Sequence, residues 1–273
     1  MEGLQHDRVS GGYITLDWTA SGGRKRRLYR LEVRNGSPNL RGIYVDTSST
    51  VWSADDANRV RGVMIADSIW AGANFGPFIP GGSVCNLLSH EMGWNDLWDF
   101  AQGGTGYVNR GNTPGAGSET YGYRVPQALL TKPDVWLLMG TTNDQNNYST
   151  FQAAVTSAIA AIRAGSSAPI VIFGLWSIND TSWTVGQKIA DFEDFLKAAV
   201  ASFSDPNIFF VPVRNDPTGP WITGTWNNGF NTNSTNATAY IASDNVHPPD
   251  PGTQYLAARV AQALRQQILP NLI

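Results

Sequence analysis

From about residue 59 onward, short and continuously apolar runs alternate with amphipathic stretches. The runs cover residues 60–66, 96–101, 135–139, 170–175 and 208–213. They are too short for helices and lack polar alternation, so each reads as a strand covered on both faces. The pattern predicts a mainly parallel five-stranded sheet in a three-layer α/β/α arrangement. Helix ends are legible between the runs. Ser149 with Gln152 and Thr184 with Gln187 form capping-box pairs, and Gly165 stands where the first of these helices stops. Asp250 followed by Pro251 reads as the N-cap and first residue of a last helix running towards Ile268.

Before residue 59 the texture is different. Alternating runs such as Tyr13-Ile14-Thr15-Leu16-Asp17-Trp18 and Arg27-Leu28-Tyr29-Arg30-Leu31-Glu32-Val33 are separated by turn signals at Ser21-Gly22-Gly23 and Asn35-Gly36-Ser37-Pro38. This predicts a small antiparallel unit. The expected organisation is a β-rich N-terminal extension over 1–58 and a main domain over 59–273. The basic run Arg24-Lys25-Arg26-Arg27 falls at a turn and strand start, where it protects a sheet edge.

Composition narrows the partners. A net charge of -3 with only 15% charged residues provides no basic field, so nucleic acid is not an expected partner. No apolar run approaches the ~20 residues of a membrane span, and residues 1–10 lack the apolar stretch of a secretory signal. The chain reads as soluble, and its compartment stays open, a mature form or a fragment of an exported protein included. The single cysteine, Cys85, can form no intramolecular disulfide and sits among Val84, Leu87 and Leu88 as a buried small hydrophobe. Of ten tryptophans, Trp70, Trp176, Trp183, Trp221 and Trp226 fall in or beside segments that read as loops. Trp70, Trp176 and Trp183 are the candidates for lining a substrate cleft.

In an open parallel sheet, ligands bind beyond the carboxyl ends of the strands. Four segments there carry chemistry: Ala66-Asp67-Ser68-Ile69, Gln102-Gly103-Gly104-Thr105-Gly106, Gly140-Thr141-Thr142-Asn143-Asp144 and Asp244-Asn245-Val246-His247-Pro248. A serine hydroxyl becomes a useful nucleophile only beside a base. Of three histidines, His6 lies in the N-terminal tail and His90 in a predicted helix, which leaves His247. Asp244, three residues earlier, can hold its tautomer and stabilise the imidazolium. Backbone N–H groups of a Gly-rich turn and the amide of Asn143 can face an oxyanion. Asp67 and Asp144 read as hydrogen-bonding supports of their loops.

Other chemistries lack their residues. His90-Glu91 opens a His-Glu-x-x-His pattern, but position 94 is Trp, so no metal site is expected. Neither a Gly-Lys-Ser/Thr phosphate loop nor a Gly-x-Gly-x-x-Gly fingerprint occurs, and there is no Gly-x-Ser-x-Gly elbow of the α/β-hydrolase kind. No cofactor is expected.

The ordered set Ala66-Asp67-Ser68, Gly104, Asn143 and Asp244-x-x-His247 resembles the SGNH (GDSL-like) hydrolases, over about residues 59–273. Two positions depart from the family pattern: Ala66 stands for the first-block glycine, and Thr141 occupies the glycine slot of the third block. The resemblance implies the flavodoxin-like SGNH hydrolase fold. It also implies a Ser68–His247–Asp244 triad, and an oxyanion hole from Ser68, Gly104 and Asn143, with Gly103 as the alternative glycine. The implied activity is hydrolysis of carboxylic esters on a small molecule or a polysaccharide. Loop tryptophans and the neutral, Asn- and Thr-rich stretch 227–238 favour acetyl groups on a carbohydrate. The alternatives are a lipase- or thioesterase-like hydrolase of longer acyl chains and a non-catalytic glycan-binding module. Oligomeric state is not legible.

Overall fold

A computed structural model describes residues 45, 47–52, 59–72, 82–94, 96–111, 119–175, 189–213, 216, 221–222, 236–244 and 246–271. The chain divides into two compact units, Met1–Ala57 and Asn58–Ile273. The strands expected in the N-terminal extension, the capping box at Thr184, and Trp176, Trp183 and Trp226 lie outside the described residues.

The second unit holds five strands: β1 (Arg61–Ala66), β2 (Asp96–Ala101), β3 (Val135–Leu138), β4 (Ile170–Phe173) and β5 (Ile208–Val211). They lie in the order β2-β1-β3-β4-β5, and every neighbouring pair is parallel. Parallel pairing demands a crossover between consecutive strands, and the amphipathic stretches supply it. All residues of β3 and β4 are buried, as are five of the six in β1. Both faces of the inner strands are therefore covered. The apolar runs extend past the strand ends, and Met139, Leu175 and Val213 remain buried there.

The helices are α1 (Val84–Met92), α2 (Tyr121–Leu129), α3 (Tyr148–Arg163), α4 (Ile189–Ala201), the single turn α5 (Ala237–Tyr240) and α6 (Asp250–Ala263). Helix α1 packs on α6, while α3 packs on both α2 and α4. Ser83 caps α1 by accepting the Asn86 N–H at 3.1 Å, and Gly93 closes it in the left-handed region at φ 68°. The aromatic layer around Phe151 seals the α2–α3–α4 group, with Phe192 at 4.7 Å and Tyr107 edge-on at 5.5 Å between ring centroids.

Two helix starts differ from expectation. Helix α3 opens on Asn147 without a side-chain cap, so Ser149 and Gln152 are ordinary residues of its first turns. Helix α6 has Pro249 at its N-cap, which places Asp250 inside the first turn. There its charge still complements the helix dipole. Beyond Ala263 the helical path continues through a π turn, Leu264–Ile268, and reaches the residue expected.

Trp70 is a correction as well: it is wholly buried among the largest core side chains and lines no open cleft, and Trp221 is buried like it. The Trp70 indole N–H donates to the Gly140 carbonyl at 3.2 Å, and the Trp221 N–H to Asp216 at 2.6 Å. Their polar tips find partners inside the fold, which removes the cost of burying them. Cys85 is buried as expected. Among the described residues no helix is long and apolar enough to cross a membrane.

Gly140 lies just past β3, where the chain runs against the end of β4. A Cβ at this position would press on the Gly174 carbonyl, with Gly174 C at 2.7 Å and Leu175 Cα at 3.1 Å. Backbone on both sides leaves little room to yield. Gly140→Ala should therefore cost about 2 kcal/mol by overpacking. Thermal unfolding should show a melting temperature lower by roughly 4–8 °C, and an unchanged melting temperature would contradict this account of the β3–β4 contact.

Candidate active site

Ser68 lies in the turn that leaves β1, and His247 in the loop before α6. Although 179 positions apart, they are in hydrogen-bond contact, with His247 Nε2 at 2.8 Å from Ser68 Oγ. On the other side of the ring, His247 Nδ1 is 2.5 Å from Asp244 Oδ2. The second carboxylate oxygen accepts the backbone N–H groups of Val246 (3.1 Å) and His247 (3.0 Å). One short loop thus fixes the carboxylate against the ring it serves. The Ala242 N–H donates to the His247 carbonyl at 2.8 Å and closes this loop.

Burial pushes the Asp244 carboxyl up, but its bonds from the His247 ring, the His247 N–H and the Val246 N–H outweigh this and hold it below the usual carboxylate range. An ionised carboxylate only accepts, so Nδ1 carries the ring proton. Nε2 is then left as the acceptor facing the Ser68 hydroxyl. The structure brings together the three residues that the sequence pattern singles out for this chemistry.

Beside Ser68 stands the turn after β2. Among the described residues, the N–H groups of Ser68, Gly103 and Gly104 donate to no other group. Gly104 has φ 72°, a backbone state that favours glycine. Gly103 adjoins Ser68, because a Cβ there would sit 3.7 Å from Ser68 Cβ. Both glycines remain candidates for an oxyanion donor.

Asn143 follows β3. Its side-chain nitrogen lies 2.9 Å from the Thr105 carbonyl, 3.2 Å from Asp67 Oδ2 and 3.3 Å from Thr141 Oγ1. The amide is therefore oriented by the loops around it. Its neighbour Asp144 is fully buried and accepts the N–H groups of Tyr107 (2.7 Å), Val108 (3.1 Å) and Asn109 (2.7 Å). Burial raises its pKa, and these three bonds oppose the rise. Asn109 in turn donates to the Asn143 carbonyl at 2.9 Å. Gly106 leaves room for this carboxylate, whose Cγ would lie 2.6 Å from a Cβ at that position.

Two further residues organise the site. Asp67 is wholly buried beside Ser68. It accepts the Ile69 N–H at 3.0 Å and the Thr141 hydroxyl at 2.8 Å. Burial raises its pKa to about 6 against those two bonds and the nearby His247 and Arg124. Arg124, from α2, was not among the expected site residues. Its guanidinium donates to the carbonyls of Ala66 (3.0 Å) and Phe100, to Thr105 Oγ1 (3.0 Å), and to the Thr120 carbonyl at 3.4 Å. It thereby ties the carboxyl ends of β1 and β2 together. Burial lowers its pKa to about 10, partly offset by Tyr121, Asp67 and Asp99, so it is charged at neutral pH. A signal existed in the sequence: Arg124 shares the buried face of α2 with Tyr121, Val125 and Ala128.

Among the described residues no cluster of three or more His, Cys, Asp or Glu is placed to hold a metal ion.

No protein-family model matches the chain in sequence, and neither does any curated protein. Solved structures do match in fold. A carbohydrate esterase family 2 enzyme with a carbohydrate-binding domain, from Corynascus thermopiles (Myceliophthora fergusii), is 16% identical with a TM-score of 0.55, over 78% of this chain and 68% of that one. Est24, a carbohydrate acetylesterase from Sinorhizobium meliloti, is 12% identical with a TM-score of 0.51, over 75% of this chain and 98% of that one. A putative lipolytic protein of the G-D-S-L family from Desulfitobacterium hafniense DCB-2 is 11% identical with a TM-score of 0.51, over 76% and 100%. The chain has the SGNH hydrolase fold, with its parallel sheet as expected.

Asp67 makes stability depend on pH in a direction opposite to that of a salt-bridged carboxylate. Its folded pKa of about 6 lies above the ordinary 3.8, so between these values the folded state holds a proton that the unfolded state has lost. Folding is then favoured as pH falls, by about 1.4 kcal/mol per pH unit across that window. Urea unfolding at several pH values should show wild type gaining on Asp67→Asn from pH 6 towards pH 4. A constant difference would refute the raised pKa.

Proposed function

We propose that this protein is a serine esterase acting on short acyl groups, acetyl above all, carried by a carbohydrate. The observation that supports catalysis is the continuous hydrogen-bonded chain from Asp244 through His247 to Ser68, set beside N–H groups that have no acceptor among the described residues. In this reading His247 Nε2 takes the Ser68 proton as Oγ attacks the ester carbonyl carbon. The electron pair of the C=O bond moves to oxygen. That oxyanion meets the N–H groups of Ser68 and Gly104, with Gly103 as the alternative glycine, and the amide of Asn143.

Collapse of the tetrahedral intermediate breaks the C–O bond to the alcohol, which leaves with the proton from His247. Water repeats the sequence on the acyl-Ser68 ester: His247 removes its proton, and Ser68 Oγ takes that proton back as the acid departs. Asp244 stabilises the imidazolium in both halves. Each step uses groups of the chain itself.

Support for the acyl and alcohol parts is of a different kind. Two structures of the same fold are named as a carbohydrate esterase and a carbohydrate acetylesterase, and the stretch 227–238 is neutral and rich in Asn and Thr. Neutral polar side chains suit hydroxyl-rich ligands better than acyl tails.

The test is acetate release from a panel of acetylated polysaccharides, together with p-nitrophenyl acetate against p-nitrophenyl octanoate. Ser68→Ala should lower kcat by about 10⁴-fold or more. Asp244→Asn should lower it by roughly 10²- to 10⁴-fold through loss of the correct tautomer. A preference for octanoate would overturn the acetyl assignment and favour a lipase- or thioesterase-like enzyme. Wild type no faster than Ser68→Ala, with both binding a glycan, would overturn catalysis and favour a binding module.

A further inference from the structure

Thr141 stands where the pattern of the resembled hydrolases has glycine. It is buried, at 1% exposure, and its hydroxyl is fully engaged. Oγ1 lies 2.8 Å from Asp67 Oδ2 and 3.1 Å from the Thr105 carbonyl, and it accepts the Asn143 N–H at 3.2 Å. A hydroxyl has one hydrogen to donate. The shorter contact assigns it to Asp67, while a lone pair serves the Asn143 backbone. The other Asp67 oxygen takes the Ile69 N–H at 3.0 Å, inside the turn that carries Ser68. Thr141 and Asp67 thus join the turn of the nucleophile to the loop of Asn143.

The Asn143 side-chain amide has two hydrogens. The Thr105 carbonyl, at 2.9 Å, takes one. The second is divided between Asp67 Oδ2 at 3.2 Å and Thr141 Oγ1 at 3.3 Å. Both distances exceed the roughly 2.7–2.9 Å of a charge-assisted N–H to carboxylate bond. A loosely held hydrogen is the one that can turn to a developing oxyanion at small cost.

We infer that Thr141 is a positioning residue of this site: by occupying Asp67 and anchoring the Asn143 backbone, its hydroxyl keeps the second Asn143 amide hydrogen available to the oxyanion. This rests on the esterase reading above. Without the hydroxyl, Asp67 Oδ2 loses its shortest donor and draws the Asn143 amide to itself, and the Asn143 N–H loses its acceptor. The charged and titratable groups facing Asp67 are His247 from the loop before α6, and Arg124 and Tyr121 from α2. None of them replaces the Thr141 bond, which works against the burial that raises the Asp67 pKa.

The experiment compares Thr141→Val, which keeps the shape, with Thr141→Ser, which keeps the hydroxyl. Steady-state kinetics on p-nitrophenyl acetate is paired with the ¹³C carboxyl titration of Asp67 by NMR. Thr141→Val should lose about tenfold in kcat with KM unchanged, whereas Thr141→Ser should stay within about twofold of wild type. The Asp67 midpoint should move upward in Thr141→Val alone. An unchanged kcat in Thr141→Val, an equal loss in Thr141→Ser, or a loss confined to KM would each overturn the inference. The titration needs no turnover, so an unmoved Asp67 midpoint refutes the Thr141 role by itself. Wild type no faster than Ser68→Ala refutes the esterase reading instead.

Discussion

The arrangement depends on the parallel pairing of β1 with β2 on one side and β3 on the other. Because the strand order departs in both directions from β1, the connections leaving β1 and β3 pass to opposite faces and leave a crevice between them. Ser68, Gly103, Gly104 and Asn143 all follow directly from the carboxyl ends of these three strands. The Gln102 N–H bonds the Ala66 carbonyl at 3.0 Å, and the Met139 N–H the Ile65 carbonyl at 3.1 Å, so the ladder holds to its last residues. Whatever shifts β1 shifts Ser68 relative to both neighbouring strand ends.

Beyond the ladder, buried charge takes over the role of backbone pairing. Arg124 gathers carbonyls from β1 and β2, Asp67 gathers donors from the Ser68 turn and the Asn143 loop, and Asp144 gathers three N–H groups of residues 107–109. Each such group costs free energy to bury. The upward shifts of the two carboxyls and the downward shift of the guanidinium are that cost expressed as proton affinity. Loops have no ladder, and a multi-donor ion fixes several backbone groups at one point. Asp244 differs, because its bonds from the His247 ring and from the His247 and Val246 N–H groups outweigh its partial burial and leave it below the usual range.

The five strands were readable because a strand buried on both faces needs an unbroken apolar run, which is a local property. Asp244 and His247 were readable because their interaction spans a single turn. Helix starts were less so: Ser149 and Asp250 are common capping residues, but which residue caps depends on how the preceding loop approaches. Trp70 read as a loop residue because its neighbours are turn formers. Only the packing of β1 on β3 shows that its indole reaches Gly140 and is enclosed.

Residue order by itself determined the architecture and singled out Ser68, Asp244 and His247 as candidates, since apolar periodicity and short motif spacing are written along the chain. Tertiary structure alone decided that His247 meets Ser68 across 179 positions, that Arg124 ties β1 to β2, and that Thr141 and Asp67 share the orientation of Asn143. The physical reason is common to all three. Hydrogen bonds are directional and short, so which distant donors and acceptors pair is settled only after packing has brought the strand ends together.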